Sequence, residues 1–204
     1  DGFEFWSKVS VKERASCLLR LADLYAENQA TLIYLLNHEA GKTLPDCVGE
    51  VREAIDFCRY YASCAVSLMD EPLILKGYTG EKNSLSLHPR GPLVCISPWN
   101  FPLAIFTGQI VASLVTGNSV IAKPAEQTPL IADYAIHLMH KAGIPYKAVQ
   151  CLPGDGHLGA ALTVDKRIKG VLFTGSTQTA HQIQLALTQN KHEIVPLIAE
   201  TGGI

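Results

Sequence analysis

Asn100 stands between Pro98-Trp99 and Phe101-Pro102, directly after the apolar run Leu93-Val94-Cys95-Ile96-Ser97. Proline fixes its own φ and restricts the residue before it, so two prolines around one Asn hold that side-chain amide on a rigid turn. A pre-oriented amide donor suits an oxyanion hole, where one donor supplies about 3 kcal/mol of transition-state stabilisation. The competing reading of this pentapeptide is a Pro-bounded turn built around a buried Trp.

Four further apolar runs also end in groups with chemical use. The run at 119–122 leads to Lys123-Pro124-Ala125-Glu126, whose charged ends could hold ribose hydroxyls or form a solvated salt bridge. The run at 148–152 leads to Pro153 and Gly154-Asp155-Gly156-His157-Leu158-Gly159, which matches the G-x-G-x-x-G dinucleotide fingerprint. The acidic residue that fingerprint requires at the end of the next strand is replaced by Thr174, so a tight turn with close helix approach fits as well. The run at 170–173 leads to Phe173-Thr174-Gly175-Ser176 at a helix start, where amides and the Ser176 hydroxyl could hold a phosphate. The run at 194–199 leads to Glu200-Thr201-Gly202-Gly203. A carboxylate ending a buried strand has its ionised form disfavoured by desolvation, which suits a general base. It could also merely cap the glycine turn.

The elements around these groups follow from periodicity. Helix-like stretches lie at about 103–115, 129–142, 157–163 and 177–189, between the five strand-like runs. Strand–helix alternation of this kind implies βαβ units and a mostly parallel sheet, with ligands at the carboxyl ends of its strands. The fold class expected is α/β, an open Rossmann-like sheet preceded by helices and a β-arm. Ser10-Val11-Lys12-Glu13 reads as a capping box opening the first of those helices. A second runs from Gln29 to Ala40 and stops at Gly41, and a third starts near Asp46 with Val48, Val51, Ile55, Cys58 and Ala62 on one stripe. Residues 71–90 read as a β-hairpin-like excursion, an arm suited to oligomer contacts.

The 204 residues suffice for one sizeable core, and 48% apolar with 18% charged is ordinary globular composition. A formal net charge of −2 argues against nucleic-acid binding by bulk electrostatics. No apolar run is long enough to span a bilayer, and residues 1–6 carry no signal-type core. With no initiating Met the chain reads as a piece of a longer protein. None of the six cysteines forms a C-x-x-C pair, so no metal is expected, and their apolar surroundings suit a reducing, cytoplasmic setting.

Together, Pro-Trp-Asn-Phe-Pro at 98–102, Lys-Pro-x-Glu at 123–126, Phe-Thr-Gly-Ser at 173–176 and Glu-x-Gly-Gly at 200–203 resemble the aldehyde dehydrogenase superfamily, in order and spacing. Glu53-Ala54-Ile55-Asp56-Phe57-Cys58-Arg59-Tyr60-Tyr61 and Ala199 to Gly203 narrow the likeness to the L-glutamate γ-semialdehyde dehydrogenases of bifunctional proline-utilisation proteins. The resemblance implies that 1–204 is the amino-terminal, NAD-binding portion of such a domain. Asn100 would be the oxyanion donor and Glu200 the base that activates water for thioester hydrolysis. NAD would be met by Ile96, Ser97, Pro98 and Trp99, by Lys123, Pro124 and Glu126, by Gly154 and Gly159, by Phe173, Gly175 and Ser176, and by Thr201. Within that set, Lys123 and Glu126 would take the adenosine ribose, and Ser176 the pyrophosphate. Glu53 would meet the substrate's ammonium group, with Phe57 beside it.

Two departures from the family pattern stand out. Ala180 replaces the Gly that ends the family's Gly-Ser-x-x-x-Gly run. The nucleophilic Cys is expected beyond Ile204, so these residues alone are expected not to oxidise aldehydes. The parent protein is expected to be a homo-oligomer, fused to a proline dehydrogenase domain. Another semialdehyde dehydrogenase, or a non-catalytic NAD-binding fragment, remains the alternative.

Overall fold

The computed structural model describes residues 2–189 and 193–202. Helices α1 (Gly2–Trp6), α2 (Val11–Glu27), α3 (Gln29–Ala40) and α4 (Leu44–Met69) form the leading layer. The hairpin strands β1 (Leu73–Leu75) and β2 (Asn83–Leu85) follow. The rest alternates as β3 (Pro92–Ile96), α5 (Ala104–Val115), β4 (Ser119–Lys123), α6 (Pro129–Lys141), β5 (Val149–Cys151), α7 (Gly156–Thr163), β6 (Gly170–Thr174), α8 (Thr177–Thr188) and β7 (Leu197–Glu200).

Local chemistry accounts for the helix ends. Ser10 Oγ accepts from Glu13 N while Glu13 Oε2 accepts from Ser10 N, the reciprocal box that the sequence indicates. α3 stops at Gly41, whose φ of 65° is left-handed. α4 begins two residues before the expected Asp46, because Thr43 caps it and Pro45 suits its first turn. α1 is not foreseen in the sequence. It is held from outside, with Trp6 buried and its Nε1 donating to Leu114 O at 2.8 Å.

β3 to β7 form one parallel sheet in the order β5-β4-β3-β6-β7. The chain moves outward from β3 on one side, then returns to build the other, so the order reverses between β3 and β6. Both faces of β3 are covered. Cys95 faces the larger core, with α2, α4, α5 and α6, whereas Val94 faces a smaller one with Phe173, Ala180, Ile183 and Leu187.

The sheet's last strand starts three residues later than expected. Pro196 has no N–H for the ladder, Ile194 is 91% exposed, and pairing begins at Leu197. β1 pairs with β2 antiparallel, as the hairpin reading anticipates, and every residue of both strands is exposed.

The N-terminal layer also finishes the helices of the sheet layer. Neither α5 nor α6 has a side-chain cap of its own. Glu50 Oε1 accepts from Leu103 N (2.8 Å) and Ala104 N (3.2 Å) at the start of α5. The two Glu39 oxygens accept from Leu130 N (2.7 Å) and Ile131 N (2.8 Å) at the start of α6. Carboxylates from α4 and α3 thus satisfy amides that have no intrahelical partner and meet the positive ends of those helices. Phe106 of α5 is fully buried between the layers. Phe106→Ala is expected to lower stability by about 3–5 kcal/mol in urea unfolding, with an unchanged denaturant slope. A loss below about 1 kcal/mol would contradict this packing.

Candidate functional site

Parallel register aligns the strand tips. Ile96 of β3 lies opposite Lys123 of β4 and Phe173 of β6, and Thr174 lies opposite Glu200 of β7. Beyond this row two cavities adjoin. One, of about 460 Å³, takes Ile96 to Trp99, Lys123, Glu126, Gly159 and Phe173 to Ser176 among its lining. The other, of about 410 Å³, is lined by Asn100, Glu200 and Thr201. Pro98, Trp99, Thr174, Gly175 and Ser176 line both, so they form the shared wall. Asn100, Lys123, Ser176 and Glu200 therefore face one continuous cleft. Pro124 and Gly154 line neither cavity.

The first cavity has the donors and acceptors of an anion and polyol site. Lys123 is buried, and its Nζ donates to Pro124 O at 3.1 Å. It has no carboxylate within ion-pairing distance among the described residues, so the solvated salt bridge considered from sequence is not formed. Desolvation pushes the Lys123 pKa down, and the charges of Glu126 and Asp155 oppose that shift. Glu126 is exposed at the cavity mouth. Ser97 Oγ is buried and has no partner among the described residues. Ser176 caps α8 by accepting from Thr179 N at 3.1 Å.

The glycine turn before α7 is built differently. Asp155 Oδ1 accepts from His157 N and Leu158 N, which occupies the helix start with the protein's own carboxylate. These bonds hold the Asp155 pKa down. At Gly154 a Cβ would fall 2.5 Å from Leu158, so this glycine serves the turn. At Gly159 a Cβ would lie 3.5 Å from Lys123 Cδ, so the helix runs close over the lysine stem. The fingerprint's first turn is thus a packing turn whose helix start carries a carboxylate, whereas the α8 start in the same cavity is capped by the Ser176 hydroxyl and carries no charge.

At the other end, Trp99 is 55% exposed, which excludes the turn built on a buried Trp. Asn100 is exposed, and its carbonyl accepts from Lys42 Nζ at 2.9 Å. Lys42 Nζ also lies 2.5 Å from Glu50 Oε2 and 3.8 Å from the centre of the Phe101 ring. Glu200 does not end a buried strand. Among the described residues β7 is the outermost strand of the sheet, and its last three residues are exposed. Glu200 is instead tied into a polar chain. Gln109 Nε2 donates to Thr174 Oγ1 at 2.9 Å, and Thr174 Oγ1 donates to Glu200 Oε2 at 3.4 Å.

Glu53 lines a separate cavity of about 660 Å³ with Arg52, Asp56 and Phe57. Burial pushes its pKa up, with Glu50 adding and Lys42 opposing. Phe57 also lines a small cleft of about 120 Å³ with Thr174 and Glu200, so it connects the two regions. Gly203 of the last motif lies outside the described residues. Lys42, Glu50, Gln109 and Thr174 are among the polar residues at this site that carry no role in the sequence reading. Glu50 had a signal, since it sits on the stripe of Cys47, Val51, Ala54 and Cys58, where a charge is out of place.

The sequence profile of the aldehyde dehydrogenase family matches residues 1–204, and the chain belongs to that family. Among curated relatives, the bifunctional protein PutA of Rhizobium meliloti is 52% identical over 197 residues, covering 94% of this chain and 14% of the relative. The 1-pyrroline-5-carboxylate dehydrogenase of Staphylococcus epidermidis is 38% identical over 205 residues, covering 98% of this chain and 40% of the relative. The chain thus spans a minor part of the length of the relatives it matches. Among solved structures, a mutant of proline utilization A from Bradyrhizobium japonicum superposes with a TM-score of 0.97 at 53% identity, covering 100% of this chain and 21% of that one. The 1-pyrroline-5-carboxylate dehydrogenase from Thermus with bound NAD gives 0.94 at 36% identity, covering 99% and 40%.

The six thiols are all free, and none lines either of the two cavities. Cys95 is buried beside Ser113, and burial pushes its pKa up to about 12, as it does for Cys58. Cys151 is pushed up to about 11. In iodoacetamide labelling near pH 8, read by mass spectrometry, the half-buried Cys64 is expected to react first. Cys47, Cys58 and Cys95 are expected to react only in denaturant. Native labelling of Cys95 as fast as Cys64 would contradict this structure.

Proposed function

We propose that the protein carrying this chain is an NAD-dependent dehydrogenase that oxidises L-glutamate γ-semialdehyde to L-glutamate. These residues would supply its nucleotide cleft, one oxyanion donor and the base. The observation that carries the reading is the convergence of Asn100 and Glu200 on a cavity sharing its wall with the polar cleft above β3, β4 and β6. Kinship with PutA and with 1-pyrroline-5-carboxylate dehydrogenases supports the substrate. It also supports a proline dehydrogenase partner domain in the full-length protein. No helix among the described residues is long and apolar enough to cross a membrane. The free thiols suit a reducing, cytoplasmic setting.

NAD fits the cleft by the chemistry of its walls. Lys123 and Glu126 would take the ribose hydroxyls, the Ser97 hydroxyl and the start of α8 at Ser176 the phosphates, and Trp99 and Phe173 the rings. Pro124 would act through the loop it fixes, and Ile96, Pro98, Gly159, Gly175 and Thr201 through shape. Glu126 at the mouth would repel a 2′-phosphate, which favours NAD over NADP. When bound, NAD accepts a hydride from the reacting carbon.

The chain's own part in the reaction is electrostatic and protonic. The Asn100 amide would donate to the aldehyde oxygen as negative charge develops on it, while a thiolate from outside these residues adds to the carbonyl carbon and the C=O π pair moves to oxygen. Glu200 would then take a proton from the water that releases the acid, held for this by Thr174. Glu53 would attract the substrate's ammonium group at the far side of Phe57.

Calorimetric titration with NAD tests the cleft. Glu126→Ala is expected to weaken binding about tenfold or more, since two charge-assisted hydrogen bonds are lost. Equal affinity in wild type and variant would contradict the ribose assignment. In the full-length enzyme, Glu200→Gln is expected to give one rapid NADH equivalent per site and then stall. Undiminished steady turnover would overturn Glu200 as the base.

A further inference from the structure

We infer that the Lys42–Glu50 ion pair is a positioning clamp for Asn100, fixing the peptide of the oxyanion donor from beneath while leaving its side-chain amide free for the substrate. The inference rests on the reading of Asn100 as that donor. Trp99, Asn100 and Phe101 are all exposed, so packing alone does not fix them. The prolines restrict the dihedrals of the loop but do not anchor it to the rest of the molecule. Its entry is anchored by the sheet, where Ser97 N donates to Lys123 O at 3.3 Å. Its exit is anchored by Glu50 Oε1, which accepts from Leu103 N and Ala104 N.

Between those anchors Phe101 O accepts from Ile105 N of α5 at 3.3 Å, and among the described residues one side chain hydrogen-bonds the Asn100 peptide. Lys42 Nζ donates to the Asn100 carbonyl at 2.9 Å and sits over the Phe101 ring. The ammonium is held there because Glu50 Oε2, on a fully buried side chain, lies 2.5 Å away and has no other partner among the described residues. The Lys42 backbone is fixed as well, since its carbonyl accepts from Asn37 Nδ2 at 2.8 Å. One carboxylate thus holds the start of α5 with one oxygen and, through Lys42, the Asn100 peptide with the other. A buried ion pair is weak evidence for stability but is well suited to fixing one geometry.

The test is a mutant cycle in the full-length enzyme. Lys42→Met combined with Glu50→Gln removes both charges, so no unpaired ion is buried, and an amide at 50 can still accept from Leu103 and Ala104. The double variant is expected to lose about tenfold in kcat through misplacement of the donor, with KM for NAD changed less than about twofold. Asn100→Ala is expected to lose about a hundredfold. Added to Asn100→Ala, the double substitution is expected to cost nothing further, which a general structural defect would not reproduce. Should the double variant not fold, Glu50→Gln alone is expected to lower kcat in the same direction by a smaller factor.

Wild-type kcat in the clamp variants, or losses that multiply in the combined variant, would overturn the clamp while Asn100→Ala still reports the donor. Unchanged kcat in Asn100→Ala would overturn the oxyanion role, and the clamp with it.

Discussion

The parallel hydrogen-bond register of β3 with both of its neighbours is the constraint on which the site depends. Ile96 is level with Lys123 on one side and with Phe173 on the other. A one-residue slip would turn Lys123 from the cleft toward the opposite face, since strand side chains alternate. The register is secured because both faces of β3 are buried, Val94 in one core and Cys95 in the other. With the tips level, the order reversal between β3 and β6 opens a crevice whose walls are the loops after each strand. Chemistry then depends on what the strand ends and loops carry, and here they include the Asn100 amide, the Lys123 ammonium, the Ser97 and Ser176 hydroxyls and the carboxylates of Glu126 and Glu200.

The helical layer before the sheet belongs to the same machine. Glu39 and Glu50 reach across to cap α6 and α5, which have no caps of their own. Each carboxylate couples the orientation of two layers, and at Glu50 its loss would leave the buried Leu103 and Ala104 amides without partners. At Glu50 the coupling extends to Lys42 and the loop of Asn100. At the opposite wall, Gln109 of α5 reaches Thr174 and, through it, Glu200. α5 thus stands between the two ends of the reacting cavity, its first turn tied to one and its middle to the other.

Much of this was legible in the sequence. Strand–helix alternation placed the sheet strands to within three residues at each end, and Ser10 to Glu13 announced its own capping box. Those features are local, and local chemistry sets them. The converging tips were legible because a parallel sheet leaves functional residues few other places to stand. Long-range partners were not legible. Glu50 looks like a misplaced charge on an apolar stripe until α5 is folded against it, and Lys42 looks like a linker lysine. α1 leaves no periodic signal in the sequence, because tertiary packing of Trp6 holds its five residues in a helix. The apolar run before Glu200 predicts a buried strand end, but among the described residues β7 is the outermost strand and its last three residues stay open to solvent.

Amide hydrogen exchange with and without NAD addresses the central claim most directly. If the strand tips form one nucleotide cleft, NAD slows exchange together in 96–101, 123–127 and 173–180, and leaves the hairpin at 73–85 unchanged. Protection absent from 173–180, or confined to the hairpin or to the cavity around Glu53, would contradict it.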